Sequence, residues 1–428
     1  MMKKKKVVVL GAGISGLATA WKLSKNPDLE VLVIEKAETP GGWLQTDTSS
    51  GFLIEKAART FKTSRCPELI DLALELGLKD KMIFSTHNTR YLWIKGKLVK
   101  APSFSLLKKF MLPLLKEWSV APHCEEETIW DFACRRFNKN VANYLFDPLV
   151  LGIYGGDLKT LSVNACFPFL KAAEKKWGSL TRAFFCEKKG KDASLFSFKG
   201  GIQTFVDTLA SQSKAEFLYG EEVRALAFHA DHIEVVTTKN KYLADAVFSA
   251  LPSNALASIF SETHPNISAL FSSIPLLTII VVHVCYKKSV LNKRGFGYLV
   301  PSSEKEDILG VVFDSSIFEE TNETRLTIML RDSAKTEEEY KALGLAALQK
   351  HLHITSSPDF ILVEKKEEAI PQYTLGHEER ILLLQNRILK DLKGFHLVGN
   401  YLSGASVNQC IATAFSATAF WKSLNESC

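Results

Sequence analysis

A strand, a glycine turn, a helix and a second strand at the start of the chain constrain its fold more than any other feature. Residues 7–10 form an apolar run that predicts a buried strand, and residues 11–16 read Gly-Ala-Gly-Ile-Ser-Gly before an apolar helix. A second apolar run, residues 31–34, ends in Glu35, nineteen residues after Gly16. This spacing is the βαβ fingerprint of dinucleotide-binding proteins. The chain is therefore expected to begin with a Rossmann-like α/β domain.

The glycines of this turn have separate physical roles. Gly11 permits the tight turn, Gly13 lets the backbone approach a pyrophosphate, and Gly16 lets the helix pack closely on the strand. The pyrophosphate then lies at a helix N-terminus, where free N–H groups favour negative charge. Glu35 would accept hydrogen bonds from ribose hydroxyls and repel a 2′-phosphate. The predicted contacts in this region are Gly11, Ala12, Gly13, Ile14, Ser15, Gly16, Glu35 and Lys36.

A secretory signal peptide is the main alternative for the same residues. Lys3 to Lys6 precede an apolar stretch that ends in Ala18-Thr19-Ala20, a pattern with a charged start and a small-residue end. That interpretation places all three glycines inside the apolar region and leaves the second strand and Glu35 unexplained. The dinucleotide fingerprint accounts for all of these elements together.

Length and composition exclude several function classes. A chain of 428 residues can form two or three domains, and 46% hydrophobic with 23% charged residues is typical of globular proteins. The formal net charge of +6 comes from scattered lysines and arginines without interleaved aromatics, so no nucleic-acid partner is expected. A basic surface suits an anionic lipid or a small anionic ligand.

Cysteine and histidine spacing predicts neither disulfides nor a metal site. The eight cysteines form no CxxC pair, which indicates reduced thiols in a cytoplasmic protein. His351 and His353 would share one face of a strand, but no third ligand is evident, so a packing or surface role is expected. No apolar run reaches the 18 or so residues that a transmembrane helix needs.

The pattern along the chain predicts a discontinuous nucleotide-binding domain with two inserts. The nucleotide-binding domain is predicted to consist of three segments with strand–loop–helix patterns, namely 1–85, 199–265 and 376–428. Segment 86–198 is predicted to be mainly helical, and segment 266–375 to form a substrate-binding sheet of mixed strands. Within the helical segment, residues 104–118 are apolar with lysines at the margins. These residues are either a buried helix pair broken at Pro113 or a segment in a membrane interface.

Five stretches together resemble the protoporphyrinogen oxidases, a family within the amine-oxidase-like FAD superfamily. The fingerprint, Gly41-Gly42-Trp43 and the C-terminal glycine loop resemble the superfamily, and the longer stretches resemble the narrower family. These stretches are residues 41–43, 147–157 (DPLVLGIYGGD), 295–304 (GFGYLVPSSE), 370–377 (IPQYTLGH) and 404–410 (GASVNQC). The chain departs from the family at Lys56-Ala57-Ala58, where a Gly-Pro pair is usual, and at Lys366, where many members have tryptophan. Both departures bear on FAD affinity rather than on the type of reaction.

The resemblance implies non-covalent FAD and a site for a porphyrinogen. Further FAD contacts implied by the family are Trp43, Arg59, Thr60, Val223, Ala405, Ser406 and Val407. Arg90 would bind a propionate, because the planar guanidinium matches a carboxylate with two hydrogen bonds. Phe296 and Leu299 would enclose a pyrrole ring, and the backbone of Gly152 would face the macrocycle. From the residues alone, the favoured interpretation of Arg90 is a solvated arginine at a strand edge, and only the resemblance favours the propionate contact.

The implied reaction is the oxidation of protoporphyrinogen IX to protoporphyrin IX by flavin and O2. The resemblance also implies peripheral association with the inner face of the cell membrane and transfer of the product to ferrochelatase. It leaves the oligomeric state undetermined, with a homodimer as one option. Coproporphyrinogen III is an alternative substrate, and its four propionates would require a more basic and more open site. A flavin amine oxidase and an inactive flavoprotein scaffold are further alternatives.

Overall fold

Apolar runs that are far apart in sequence assemble into two large sheets. The computed structural model describes residues 4–85, 87, 89–101, 103–186, 194–318 and 322–426, without the side chains of 104–109 and 425–426. The strands are β1 Lys5–Leu10, β2 Leu29–Ile34, β3 Thr46–Asp47, β4 Ile54–Glu55, β5 Phe61–Lys62, β6 Met82–Phe84, β7 Arg90–Ile94, β8 Lys97–Ala101, β9 Leu195–Phe198, β10 Glu216–Leu218, β11 Val223–Phe228, β12 Ile233–Thr237, β13 Lys241–Ala244, β14 Ala246–Ser249, β15 Leu276–Tyr286, β16 Gly297–Leu299, β17 Ile308–Val312, β18 Thr324–Arg331, β19 Phe360–Pro371 and β20 Phe395–Leu397. The helices are α1 Ile14–Ser24, α2 Pro67–Glu75, α3 Phe104–Lys116, α4 Ile129–Arg136, α5 Lys139–Val141, α6 Asp147–Tyr154, α7 Val163–Cys166, α8 Pro168–Trp177, α9 Leu180–Cys186, α10 Gln203–Gln212, α11 Ser253–Phe260, α12 Pro265–Ser272, α13 Glu337–Leu352, α14 His377–Asp391, α15 Asn400–Ser403 and α16 Val407–Glu426.

A parallel five-stranded sheet forms the centre of the nucleotide-binding part. Its order is β10-β2-β1-β14-β20, with β1 between β2 and β14. Side chains of α1, α2, α10 and α16 pack on one face, and those of α11, α12 and α14 pack on the other. Strands buried on both faces read as continuous apolar runs, which is why β1 and β2 were recognisable in the sequence. The sheet takes strands from each of the three segments predicted to share this part of the fold.

The second sheet is mixed and has seven strands. Its order is β19-β15-β18-β17-β16-β7-β8, and β7 runs parallel to β16 while the other pairs are antiparallel. The segment predicted to be mainly helical therefore starts with a hairpin that extends this sheet. Lys95 and Gly96 have φ angles of 50° and 73°, which is typical of the tight turn joining two paired strands.

Helices α3 to α9 follow this hairpin and contain a buried ion cluster. Arg136 is 1% exposed, and its guanidinium lies 3.1 Å from Glu117 and 2.9 Å from Glu174. It also donates to the carbonyl oxygens of Val120 and Gly178. Pro113 lies inside α3, so the alternative of a helix pair broken at this residue is wrong. The proline removes one backbone hydrogen bond, the one that an N–H at this position would donate to residue 109, and the helix continues to Lys116.

The expectation of a packing role for the histidine pair applies to His351. This residue lies in the last turn of α13, where its ring stacks on Trp93 at 3.8 Å and its Nδ1 lies 2.9 Å from the Tyr298 hydroxyl. His353 caps the same helix with φ of 58°, so the pair lies at a helix end rather than on a strand. In the described part of the chain, no cluster of three or more acidic, histidine or cysteine side chains could hold a metal. No helix formed by the described residues is long and apolar enough to cross a membrane.

Candidate active site

The glycine turn leaves an open space at the start of α1. Gly11 has φ of 91°, and Gly13 is the N-cap of the helix with φ of −68°. A Cβ added at Gly13 would meet no described heavy atom within 4 Å, whereas one added at Gly16 would lie 1.8 Å from the Gly11 carbonyl oxygen. The helix packs on the strand only because Gly16 has no side chain. The space above Gly13 is a cradle that a pyrophosphate fits.

Glu35 is buried at the end of β2, and its carboxylate anchors the turn. One carboxylate oxygen accepts a 2.6 Å hydrogen bond from the Ala12 N–H, and the other accepts a 2.9 Å bond from the Ala37 N–H. An ionised carboxylate has about four acceptor positions, so acceptors remain for ribose hydroxyls. Lys36 follows with an exposed side chain.

A second helix N-terminus lies beside the first. Helix α16 begins at Val407, directly after Ala405 and Ser406. Cys410, one turn into this helix, is buried beside Ser15 of α1, and burial raises the pKa of its thiol to about 11. Two helix N-termini meeting at one place favour an anionic ligand. The buried neutral thiol agrees with the predicted non-covalent cofactor.

Val223 lies farther along the same domain, at an irregularity of β11. It pairs with Thr237, while Ala225 pairs with Val236, so the ladder shifts register between Val223 and Ala225. A bulge of this kind redirects backbone groups away from the regular ladder. The side chain of Val223 is 9% exposed, so any cofactor contact here would involve the backbone.

Arg59 joins the nucleotide-binding part to the second sheet. Its Nη1 donates to Asp314 and Thr327, each at 2.5 Å, and its Nη2 donates to the Glu55 carbonyl oxygen at 3.2 Å. These bonds occupy much of the guanidinium that the resemblance assigned to FAD. Thr60 follows in a half-buried position.

Trp43 lies next to a chain of charged groups that sequence reasoning did not connect. Its ring is 45% exposed, and the Lys366 ammonium lies 5.5 Å from the ring centroid. Lys366 pairs with Glu364 at 3.0 Å, and Glu364 lies 3.3 Å from Nε2 of His283. These contacts hold the pKa of Glu364 at about 2 despite burial, and desolvation lowers the pKa of His283. Glu364 and Lys366 share one face of β19 because they are two residues apart, whereas His283 joins them only through the pairing of β15 with β19.

The four residues predicted to contact substrate come together where β7 pairs with β16, beside α6. Arg90 pairs in register with Gly297, and its guanidinium lies 5.0 Å from the Phe296 ring centroid. A Cβ added at Gly152 of α6 would lie 3.0 Å from a methyl of Leu299. Phe296 and Leu299 are half-buried, while Arg90 and Gly152 are exposed. The arrangement is an apolar slot with a cation at one end.

The glycines beside Phe296 serve the sheet rather than a ligand. Gly295 and Gly297 have φ of 146° and 139°. A Cβ at these positions would lie 2.4 Å from the Thr89 carbonyl oxygen and 2.2 Å from that of Val311. Both glycines therefore allow a close approach of the neighbouring backbone.

Arg90 has no acidic partner among the described residues. Desolvation lowers the pKa of its guanidinium, and the positive charge of Arg65 lowers it further. An unpaired, partly desolvated arginine beside aromatic and aliphatic side chains is suited to bind the carboxylate of an apolar ligand.

Comparison with known proteins agrees with this geometry. The model of the flavin containing amine oxidoreductase family matches residues 14–419. Protoporphyrinogen oxidase from Schizosaccharomyces pombe is 29% identical, with 98% of this chain and 99% of the relative covered. Coproporphyrinogen III oxidase from Staphylococcus aureus is 23% identical, with 95% and 97% covered. A solved structure from Exiguobacterium sp. 255-15, provisionally named a protoporphyrinogen oxidase, has a TM-score of 0.87 at 20% identity, with 98% and 99% covered.

The match extends over nearly the whole chain and includes both sheets and the helical segment. It confirms the predicted fold class and the predicted flavin cofactor, FAD. The chain is an oxidoreductase and belongs to the flavin containing amine oxidoreductase family.

Proposed function

We propose that this flavoenzyme oxidises protoporphyrinogen IX to protoporphyrin IX. The observation that carries the proposal is the slot where β7 pairs with β16. Here Arg90, which has no acidic partner among the described residues, lies against Phe296, and Leu299 faces Gly152. A porphyrinogen is a large apolar ring with propionate groups, and this slot offers apolar walls with one cation. The near full-length similarity to the S. pombe enzyme supports the same substrate.

The residues that would hold FAD are those around the two helix N-termini and Glu35. When bound, FAD would supply a two-electron acceptor that oxygen reoxidises, so that six electrons leave the porphyrinogen overall while three O2 are consumed and three H2O2 are formed. Trp43 lies in the stretch after β2, and the Lys366–Glu364 pair lies on β19 of the second sheet, beside it. This chain contributes binding, orientation and exclusion of water, and the pyrrole protons need no dedicated base.

Peripheral membrane association forms part of the proposal. Exposed apolar side chains cluster on α3, the turn after it and α9, namely Met111, Leu112, Leu115, Trp118, Phe184 and Phe185. Glu117 accepts hydrogen bonds from the backbone N–H groups of Leu180 and Thr181, which holds α9 against the end of α3. Single exposed apolar residues are ordinary, whereas a cluster of this size is typical of an interaction surface. An interface position would give access to a poorly soluble substrate and product.

A porphyrin fluorescence assay tests the proposal. The FAD-loaded protein is mixed in air with protoporphyrinogen IX, coproporphyrinogen III or an aliphatic amine. Porphyrin fluorescence is expected with the first compound at the highest kcat/KM. Removing the Arg90 contact by Arg90→Ala costs about 1.5–3 kcal/mol, so KM should rise roughly ten- to hundredfold with an unchanged flavin spectrum. A preference for coproporphyrinogen III or for the amine, or wild-type kcat/KM in Arg90→Ala, would contradict it.

A further inference from the structure

A second arginine, Arg65, lies against a phenylalanine ring as Arg90 does. Arg65 ends the short 3₁₀ turn Thr63–Arg65 that precedes α2, and its side chain is exposed. Its guanidinium lies 4.8 Å from the ring centroid of Phe169, itself 47% exposed. In the part of the chain that the structure describes, Arg65 forms no ion pair or side-chain hydrogen bond. Arg65 and Arg90 are thus two cations that each lie against a phenylalanine without an acidic partner.

Helix α6 connects the two arginine–phenylalanine pairs. Its Gly152 contacts Leu299, the residue three positions after Phe296. Two residues further along this helix, the ring of Tyr154 packs edge-on against Phe167 at 6.0 Å, and Phe167 packs against Phe169 at 6.0 Å. A short run of packed side chains therefore leads from the predicted slot to Arg65.

The positive charge of Arg65 acts electrostatically on Arg90. Like charges close to each other raise the free energy of the empty site, and the positive charge of Arg65 lowers the pKa of Arg90. A ligand with two negative charges relieves this repulsion, whereas a ligand with one does so only in part. Protoporphyrinogen IX carries two propionates on neighbouring pyrrole rings, which suits a pair of separated cations.

We propose that Arg65 is a specificity-determining residue that binds the second propionate of the porphyrinogen, while Arg90 binds the first. The inference rests on the proposed function and adds a residue that the predictions from sequence did not include. Arg65 suits the role because a guanidinium stacked on a ring keeps its in-plane N–H donors free for a carboxylate.

The test compares a diacid with its neutral ester. KM and kcat are measured for wild type, Arg65→Gln and Arg65→Lys with protoporphyrinogen IX and with its dimethyl ester. Arg65→Gln is expected to raise KM for the diacid about tenfold and to change kcat less than twofold, and Arg65→Lys should recover part of the loss. With the ester, all three proteins should have the same KM. Arg387→Gln, a change at an exposed arginine of α14, is the matched control and should behave as wild type.

The outcomes separate this inference from the function on which it rests. An unchanged KM for the diacid in Arg65→Gln, or an equal rise of KM for the ester, would overturn the role of Arg65 while leaving the oxidase activity in place. Failure of the FAD-loaded wild type to oxidise either compound would overturn the proposed function itself.

Discussion

Replacing Gly13 with alanine should remove cofactor binding while leaving the fold intact. Gly13 has φ of −68° and ψ of 174°, which alanine adopts without strain, and no described heavy atom lies within 4 Å of the new Cβ. Gly13 is the N-cap of α1, where alanine is less favourable than glycine by about 1 kcal/mol or less. The apo protein should therefore lose little stability.

The cost to FAD follows from the space that the methyl group fills. It occupies the cradle in which the backbone would approach the pyrophosphate, so one or two hydrogen bonds from N–H groups to the phosphate are lost. Hydrogen bonds to a charged group are worth about 1.5–3 kcal/mol each. The total of about 1.5–6 kcal/mol corresponds to roughly a ten- to ten-thousandfold increase in Kd.

The assay measures both properties on the apo protein. Unfolding is followed by circular dichroism, and FAD is titrated with flavin fluorescence as the signal. Gly16→Ala is the contrasting variant, because its Cβ would lie 1.8 Å from the Gly11 carbonyl oxygen and the helix must move. Gly13→Ala should unfold near the wild-type midpoint and bind FAD weakly, whereas Gly16→Ala should be destabilised even without FAD. Wild-type FAD affinity in Gly13→Ala, or destabilisation equal to that of Gly16→Ala, would refute the reasoning.

Two further predictions concern pH and membranes. Burial lowers the pKa of His377 from 6.5 to about 4. Between these pH values the unfolded chain binds a proton that the folded chain does not. The free energy of unfolding therefore falls as the pH drops below 6.5, by about 2 kcal/mol at pH 5. Urea unfolding at pH 7.5 and 5 should show a smaller loss in His377→Gln, and an equal loss would exclude this histidine as the cause. Leu112→Glu with Leu115→Glu should reduce co-sedimentation with anionic liposomes, whereas Leu382→Glu with Leu383→Glu on α14, also exposed, should not. Equal binding by both double variants would rule out the α3 surface.

Local sequence patterns predicted the nucleotide-binding part well. The glycine turn, the two buried strands and the start of α16 depend on short-range spacing and on runs of apolar residues, which the chain carries wherever it folds. The division into three segments stays a prediction, and the five-stranded sheet takes strands from segments 1–85, 199–265 and 376–428. The alternative of a helix pair broken at Pro113 was wrong, because the loss of one backbone hydrogen bond did not end α3 at this residue.

The site itself depended on contacts between distant residues. The bond from Arg59 to Asp314 spans 255 residues, and the chain of Lys366, Glu364 and His283 exists because two long strands pair. No periodicity encodes such pairs, since they follow from sheet order and register. By itself the sequence determined that this protein builds a dinucleotide cradle, because backbone geometry and glycine placement are local. Only the tertiary structure decided that the charge of Arg65 acts on Arg90 and that neither arginine has an acidic partner among the described residues, because charge interactions act through space.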